Sequence, residues 1–289
     1  MVDDGVGQRA FERHLRDWLP GALGRARRAT VAIGAGDGGD GGGPAEAALR
    51  VIREHADRLG GCRLTVLVLS EGAEDLPARL GAVEAQLPPQ VAVHLMPGTP
   101  GQLPVALRAA GAAGAPVLSY LAAEETVAPV ALAAAVTGRP AEALLHAGAA
   151  TPLRPALTDA GFPLVTEVEL ADTGRRIGLG TGSDRSLEAF KENLWALGVA
   201  LRDPDGRPLR PDPQVDVEPL ARALLAELAD AGPRTVTELR RHAVTGTAYR
   251  AVDAVRALTG LLDTGRVSRT PEHGRLAGDV QLTAARSTA

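Results

Sequence analysis

The sequence predicts an α/β protein: a mostly parallel sheet wrapped by helices, followed by a smaller domain of helices and short strands. Short aliphatic runs alternate with amphipathic helical patterns from residue 30 to residue 146. Two strand patterns joined by one short turn follow over residues 164–180. Three helical patterns and two short strand patterns then fill residues 216–285. We therefore expect domains at 1–200 and 216–289, joined by a linker at 201–215.

Bulk properties narrow the classes of function. The chain has 289 residues and a net charge of −4 at pH 7, which excludes a protein-wide attraction to nucleic acid. Its apolar runs are shorter than the about 20 residues that a membrane-spanning helix needs, and no apolar signal core stands at the N-terminus. The single cysteine, Cys62, excludes an internal disulfide. These features predict a cytoplasmic protein without membrane contact.

Strand–helix alternation at this spacing implies right-handed crossovers and a parallel sheet. The near-continuous aliphatic run at 64–69 suits a strand covered on both faces. The predicted strands cover residues 30–33, 64–69, 91–95, 117–121 and 143–146, and the predicted helices cover 11–28, 45–59, 76–86, 103–113 and 127–136, with a weaker helix near Leu157.

A hairpin closes the predicted sheet. Leu164–Leu170 and Arg175–Gly180 alternate as strands, and the turn between them is so short that they must be antiparallel. Five parallel strands followed by a hairpin are typical of class I methyltransferases, in which a reversed last strand lies beside the fifth. We therefore expect a Rossmann-like, class I methyltransferase-like sheet of seven strands. Ser183 or Asp184 caps the helix that follows.

The C-terminal pattern predicts a winged helix-turn-helix domain. A leucine-rich helix ends at Gly232-Pro233, and two further helices follow at 236–242 and 247–262. We expect Val252, Val255 and Leu258 to be buried on the third helix. Strands at 266–269 and 280–283 would form the wing.

The glycine-rich loop after the first strand is a candidate cofactor site. Seven glycines lie between residues 34 and 43. Gly34, Gly36 and Gly38 would let a cofactor lie against the backbone, because no Cβ stands in the way. The alternative is a glycine-rich loop that binds nothing.

Acidic residues follow two of the predicted strands. Glu71, after the second strand, is placed to receive ribose hydroxyls; a solvated or capping carboxylate is the alternative, and Glu74 and Asp75 are rivals. Glu124 and Glu125 follow the fourth strand and could act as bases, or they could start the next helix, where acids are favoured. Tyr120, before them, is expected in the core.

The sequence gives little support for other kinds of catalytic or binding site. The histidines, including His14 and His146, do not have metal-ligand spacing, and neither a GxSxG elbow nor a Walker loop occurs. We expect neither a metal site nor a nucleophilic role for Cys62.

Because the whole chain has a net negative charge, nucleic acid could bind only at a surface that is locally basic. From Val217 onward the chain has ten arginines and eight acidic residues. Arg250 and Arg256, with Tyr249, could face a duplex from the third helix, and Arg266 and Arg269 could do so from the wing. The alternative is a winged helix that contacts only proteins.

The chain resembles the three-Cys-motif partner (TcmP) proteins, which are class I methyltransferase-like with a C-terminal winged helix. Residues 35–38 (AGDG) are similar to the family's AGPG-type cofactor loop, and Gly43-Pro44 falls where a GSP follows. Residues 98–107 resemble the segment after the third strand. The most specific match is residues 176–181 with 187–195, which resemble the family's last strand and its K-x-x-x-W helix.

The resemblance implies the fold and S-adenosylmethionine as cofactor, but three polar motifs differ. Ala32 stands where the family has an acid before the loop, Ser70-Glu71-Gly72 replaces a stronger acidic motif, and residues 122–125 (AAEE) replace Asp-Pro-Phe-Gly. Each change removes a polar group that would hold cofactor or substrate. The resemblance therefore supports the fold more strongly than the activity.

Two hypotheses follow. The first is an S-adenosylmethionine-dependent methyltransferase in which Gly34, Gly36 and Gly38 approach the methionine part, Glu71 binds the ribose, and Glu124 assists the substrate. The second is a non-catalytic scaffold or regulator that binds DNA or a protein partner through its winged helix.

Overall fold

The computed structural model describes residues 4–35, 42–71 and 74–285. Its main feature is one seven-stranded sheet. The strands are β1 (Arg28–Ala35), β2 (Arg63–Ser70), β3 (Val91–Pro97), β4 (Val117–Ala123), β5 (Ala141–Ala147), β6 (Leu164–Glu169) and β7 (Arg176–Thr181).

The strands lie in the order β3-β2-β1-β4-β5-β7-β6. β1 to β5 are parallel, whereas β7 runs antiparallel to both β5 and β6. The turn between β6 and β7 is closed by a hydrogen bond from the Leu170 N–H to the Arg175 carbonyl, at 2.8 Å. The predicted Rossmann-like, mostly parallel sheet with a reversed strand inserted beside the fifth is confirmed.

Ten α-helices lie within the described residues. They are α1 (Asp4–Arg25), α2 (Gly42–Glu54), α3 (Leu76–Glu84), α4 (Leu103–Ala109), α5 (Pro129–Ala135), α6 (Leu153–Asp159), α7 (Asp184–Ala196), α8 (Glu218–Ala231), α9 (Val236–Gly246) and α10 (Ala251–Asp263). Of the two predicted caps for α7, Ser183 is the one used: its hydroxyl accepts a hydrogen bond from the Ser186 N–H.

Buried residues cover both faces of the sheet. One apolar cluster includes residues of α1, α2 and α7, and the other includes residues of α4, α5 and α6. Phe11 of α1 stacks on Tyr120 of β4 with ring centroids 4.7 Å apart. Tyr120 is buried, which confirms its predicted place in the core.

Residues 216–285, the C-terminal region, contain α8 to α10 and a three-stranded sheet. A short hairpin precedes this region, within the segment predicted to be a linker. The remaining strands are β8 (Leu201–Arg202) and β9 (Pro208–Leu209) of that hairpin, and β10 (Arg234–Thr235), β11 (Val267–Thr270) and β12 (Gln281–Ala284), ordered β10-β12-β11.

The expectation that Val252 is buried is wrong, because 49% of this residue is exposed. The buried face of α10 instead runs through Ala254, Ala257, Leu258 and Leu261. Leu258 is buried as predicted, whereas Val255 is only half-buried. The predicted helical spacing is confirmed, but the buried face is rotated from the one predicted.

The C-terminal region packs on the sheet region, residues 4–202. Phe190 and Leu194 of α7 belong to the same buried cluster as Leu220 of α8 and Leu239 of α9. α9 also packs along β6, the outer strand of the large sheet. This packing covers an edge strand, whose unpaired backbone groups are otherwise a site for unwanted strand pairing.

Within the described ranges, none of the helices combines the length and the apolar character that crossing a bilayer requires.

The reversed strand β7 sets a packing limit at Gly180. A Cβ there would lie 2.6 Å from Phe162 Cγ and 2.9 Å from Leu157 Cδ2. We expect Gly180→Ala to lower the free energy of unfolding by about 1–3 kcal/mol, because these buried side chains must move. Urea unfolding measures the effect.

Gly182→Ala is the matched control, because its Cβ would meet nothing nearer than Pro163 Cγ at 3.8 Å. Both substitutions restrict the unfolded chain in the same way, so their difference isolates packing. Equal stability of the two variants would contradict the packing described for β7.

Candidate functional site

The carboxyl ends of β1, β2 and β4 meet at one edge of the sheet. Gly34 of β1 pairs with Leu69 of β2 on one side and with Leu121 of β4 on the other. The chain order reverses between β1 and β4, which is the point where ligands bind in open α/β sheets. The structure thus places Gly34, Glu71 and Glu124 at the same edge.

Gly34 itself is buried, and its neighbours use the space that a side chain would occupy. A Cβ at Gly34 would lie 3.0 Å from Leu121 Cδ2 and 3.2 Å from Pro100 Cγ. The absence of a side chain therefore lets Pro100 and Leu121 pack against β1. Gly36 and Gly38, the other two predicted cofactor glycines, lie outside the described residues.

The acidic residues after β2 differ in their partners. Glu71 directly follows the strand and is exposed, as is Glu74. Asp75 accepts a hydrogen bond from Arg79 at 3.2 Å. Glu71 is therefore the first carboxylate after β2 along the chain, and it is open to solvent.

Glu124 is held by an arginine from the turn before β7, at the same carboxyl edge of the sheet. Both of its carboxylate oxygens accept hydrogen bonds from Arg175 Nη1, at 2.9 Å each. Arg175 Nε donates to Nε2 of the buried His146 at 3.1 Å. The cluster joins the end of β4, the end of β5 and the turn before β7.

The alternative in which Glu124 and Glu125 start a helix is wrong, because α5 begins at Pro129. Pro129 provides the helix start instead, since its fixed φ suits a first turn. The Thr151 hydroxyl donates to the Glu125 carbonyl and so anchors the loop across β4 and β5.

Another carboxylate, that of Glu142, is buried at the opposite edge of the sheet, where the amino ends of the parallel strands lie. Glu142, near the amino end of β5, accepts hydrogen bonds from His14 Nε2 at 2.7 Å, Ser186 Oγ at 2.6 Å and Thr181 Oγ1 at 3.2 Å. Burial raises the pKa of Glu142, but these hydrogen bonds and the His14 ring outweigh it and hold the pKa below 4.5. The network fastens α1 and α7 to β5.

The arginines predicted to contact nucleic acid make hydrogen bonds within the chain. Arg250 pairs with Asp253 at 2.9 Å and with Glu192 of α7 at 3.2 Å, and its guanidinium lies 4.0 Å from the centre of the Trp195 ring. Arg256 donates to the Val215 carbonyl at 2.7 Å.

The two wing arginines are also bonded. Arg266 pairs with Glu218 at 3.1 Å. Arg269 donates to carbonyls of the wing tip, including that of Pro271 at 2.9 Å. The expectation that Tyr249 faces a duplex is wrong: its side chain is buried, and its hydroxyl donates to the Asp216 carbonyl at 2.8 Å.

Among residues 4–35, 42–71 and 74–285, no group of three or more His, Cys, Asp or Glu side chains could hold a metal ion. Comparison with protein-family models gives no match, and comparison with curated proteins gives no significant match.

Removing the Glu142 charge tests the buried network. We expect Glu142→Gln to lower the free energy of unfolding at pH 7 by about 3 kcal/mol, because it breaks a buried pair and leaves its partners unsatisfied. Because the folded-state pKa of Glu142 is lowered, its contribution exists above pH 4.5 and disappears as pH falls below that value.

The deficit of Glu142→Gln should therefore shrink between pH 5 and pH 3 in urea unfolding. Glu74→Gln removes an exposed carboxylate and serves as the control, with little expected change. A deficit that stays constant down to pH 3 would contradict an ionised, hydrogen-bonded Glu142.

Proposed function

We propose that the chain is a divergent class I methyltransferase-like protein that binds S-adenosylmethionine at the carboxyl edge of β1, β2 and β4. One observation carries this proposal: the order β3-β2-β1-β4-β5-β7-β6, with β7 reversed. That strand order, with its reversed strand, is typical of class I methyltransferases. The resemblance to the TcmP family supports the same fold. The switch point between β1 and β4 is the expected place for the ligand.

In this proposal Glu71 receives the two ribose hydroxyls, because it is exposed directly beyond β2. The backbone at Gly36 and Gly38, which follow β1 in the chain, approaches the methionine part, whereas Gly34 is buried and packs against Pro100 and Leu121. S-adenosylmethionine lacks phosphates, so an acidic residue and close backbone approach suit it better than a phosphate cradle would.

Methyl transfer, where it occurs, is an in-line displacement on the methyl carbon that depends mostly on positioning. Glu124, paired with Arg175 at the end of β4, is the group we assign to the substrate. The pair offers a charged, hydrogen-bonded edge that orients a polar substrate, with His146 holding the guanidinium.

A second proposal concerns the C-terminal region, which we interpret as a winged helix. Its sheet joins β10, which lies before α9, to the β11–β12 hairpin. The exposed positions of α10 include Val252, Thr259 and Asp263, whereas base reading in the major groove relies on Arg, Lys, Asn and Gln. This surface favours a scaffold that contacts protein over a reader of DNA.

Calorimetry with S-adenosylmethionine tests the first proposal. We expect saturable binding, and Glu71→Gln should weaken it about tenfold or more, because a hydrogen bond to a charged group contributes about 1.5–3 kcal/mol. Asp57→Asn is the matched control: Asp57 is also exposed, but it precedes β2 at the opposite edge. Absence of heat at millimolar ligand would reject the proposal.

Duplex binding at two salt concentrations tests the second proposal. We expect at most a slight change in affinity between 50 and 200 mM salt, because the four arginines already have partners within the chain. Six to ten phosphate contacts would instead reduce the affinity by about 10³–10⁵ over that range. A drop of that size, with a salt slope about one unit shallower in Arg250→Gln, would favour the DNA reader.

A further inference from the structure

The sheet region holds the C-terminal region by capping the end of α9. The last carbonyls of a helix have no partner within the helix and need donors from elsewhere. Four side chains of the sheet region donate to carbonyls here, two in the last turn of α9 and two in the residues directly after it. The donors and acceptors are Thr166 Oγ1 to Val244 O at 2.9 Å, Arg154 Nη2 to Thr245 O, Lys191 Nζ to Thr247 O at 2.6 Å, and Trp195 Nε1 to Ala248 O at 2.9 Å.

Lys191 differs from the other donors in that it can lose a charge. It is the single lysine in a chain with 31 lysine and arginine residues, and its side chain is fully buried. Arginine stays protonated in proteins, whereas a buried lysine readily releases its proton. The one basic group that can become neutral thus lies at the junction of the two regions.

The surroundings of Lys191 suit an amine better than an ammonium ion. An ammonium has three N–H donors, and within the described residues one hydrogen bond, to Thr247, holds the nitrogen. Arg154 of α6 donates to the Thr245 carbonyl, two residues before the carbonyl that Lys191 contacts, so a second positive charge is held at the same end of α9.

Several charged groups on the elements packed around Lys191 form ion pairs with one another. These pairs are Glu188–Arg240 and Asp184–Arg241 between α7 and α9, Glu192–Arg250–Asp253 between α7 and α10, and Glu167–Arg176 within the β6–β7 hairpin. In addition, His242 of α9 lies 3.4 Å from the carboxylate of Glu227 on α8.

We propose that Lys191 is a proton-linked latch, so that the sheet region holds the end of α9 more tightly when the amine is neutral than when it is charged. Opening the junction hydrates the nitrogen and lets it take up a proton. Closing it releases that proton.

The direction of the pH dependence follows from burial. Burial first, and then the charge of Arg154, lower the pKa of Lys191 from 10.5 to about 7. Below pH 7 the amine is protonated whether the junction is closed or open, so pH has no effect. Between pH 7 and 10.5 the open form binds one more proton, and the closed form gains about tenfold per pH unit.

Hydrogen exchange of the full-length chain at pH 7.5 and 9.0 tests this latch. The readout is the protection factor of the amides in residues 243–250, corrected for the intrinsic pH dependence of exchange. Burial raises the pKa of the Cys62 thiol, which opposes the effect at high pH, so all variants carry Cys62→Ala. We expect protection to rise about 30-fold with lysine at position 191.

Two variants separate the effect of the titrating proton from the effect of side-chain packing. Lys191→Met keeps the length of the side chain without a titrating group, and Lys191→Arg keeps a charge that does not titrate. We expect both to lose the rise in protection, with Lys191→Arg the less protected at pH 9.0. A similar rise in Lys191→Met, or a flat response in the parent chain, would overturn the proposal.

If Lys191→Arg fails to fold, urea unfolding of the parent and Lys191→Met at the same two pH values decides the question. The unfolding equilibrium constant of the parent should fall about 30-fold from pH 7.5 to 9.0. An equal fall in both proteins would also overturn the proposal.

Discussion

The capping of α9 by donors from the sheet region is the contact on which the arrangement of the two regions depends. Helix α9 ends at Gly246, next to the outer strand of the sheet, where its last carbonyls would otherwise be buried without partners. Thr166 of β6 donates to the Val244 carbonyl in the last turn of α9, and Trp195 of α7 donates to the Ala248 carbonyl just beyond the helix. Because these donors also fix the direction of the chain toward α10, the same contact places Arg250 against Glu192 and Trp195.

Much of the fold could be predicted because its strands are buried on both faces. The aliphatic runs of β2 and β4 indicated the alternation of strands with helices, and the short turn at 171–174 indicated that β7 is reversed. The two-residue strands β8, β9 and β10 were missed because so short a strand has no periodicity to read. Val252 was assigned to the core because a mostly apolar helix does not reveal which of its apolar faces is buried.

The residues of the candidate site that could be predicted from the sequence are those that stand at the end of a predicted strand. Gly34, Glu71 and Glu124 each follow from the end of a strand, and the sheet brings these ends to one edge. Neither Arg175 as the partner of Glu124 nor His146 as the partner of Arg175 was found, because these contacts join residues 51 and 29 positions apart. Strand ends are visible in a sequence, whereas a contact between an arginine beside β7 and a carboxylate beside β4, with β5 between them, depends on the order of the strands.

The β6–β7 hairpin is the element that touches both the predicted site and the C-terminal region. Arg175 at its turn pairs with Glu124 at the carboxyl edge, and Thr166 within β6 donates to the end of α9. Arg176, at the start of β7, pairs with Glu167 of β6, which also accepts from the backbone N–H groups that begin α6. A shift of the hairpin would therefore break bonds at the site and at the junction together. The reversed strand that defines the topology thus also connects the two regions physically.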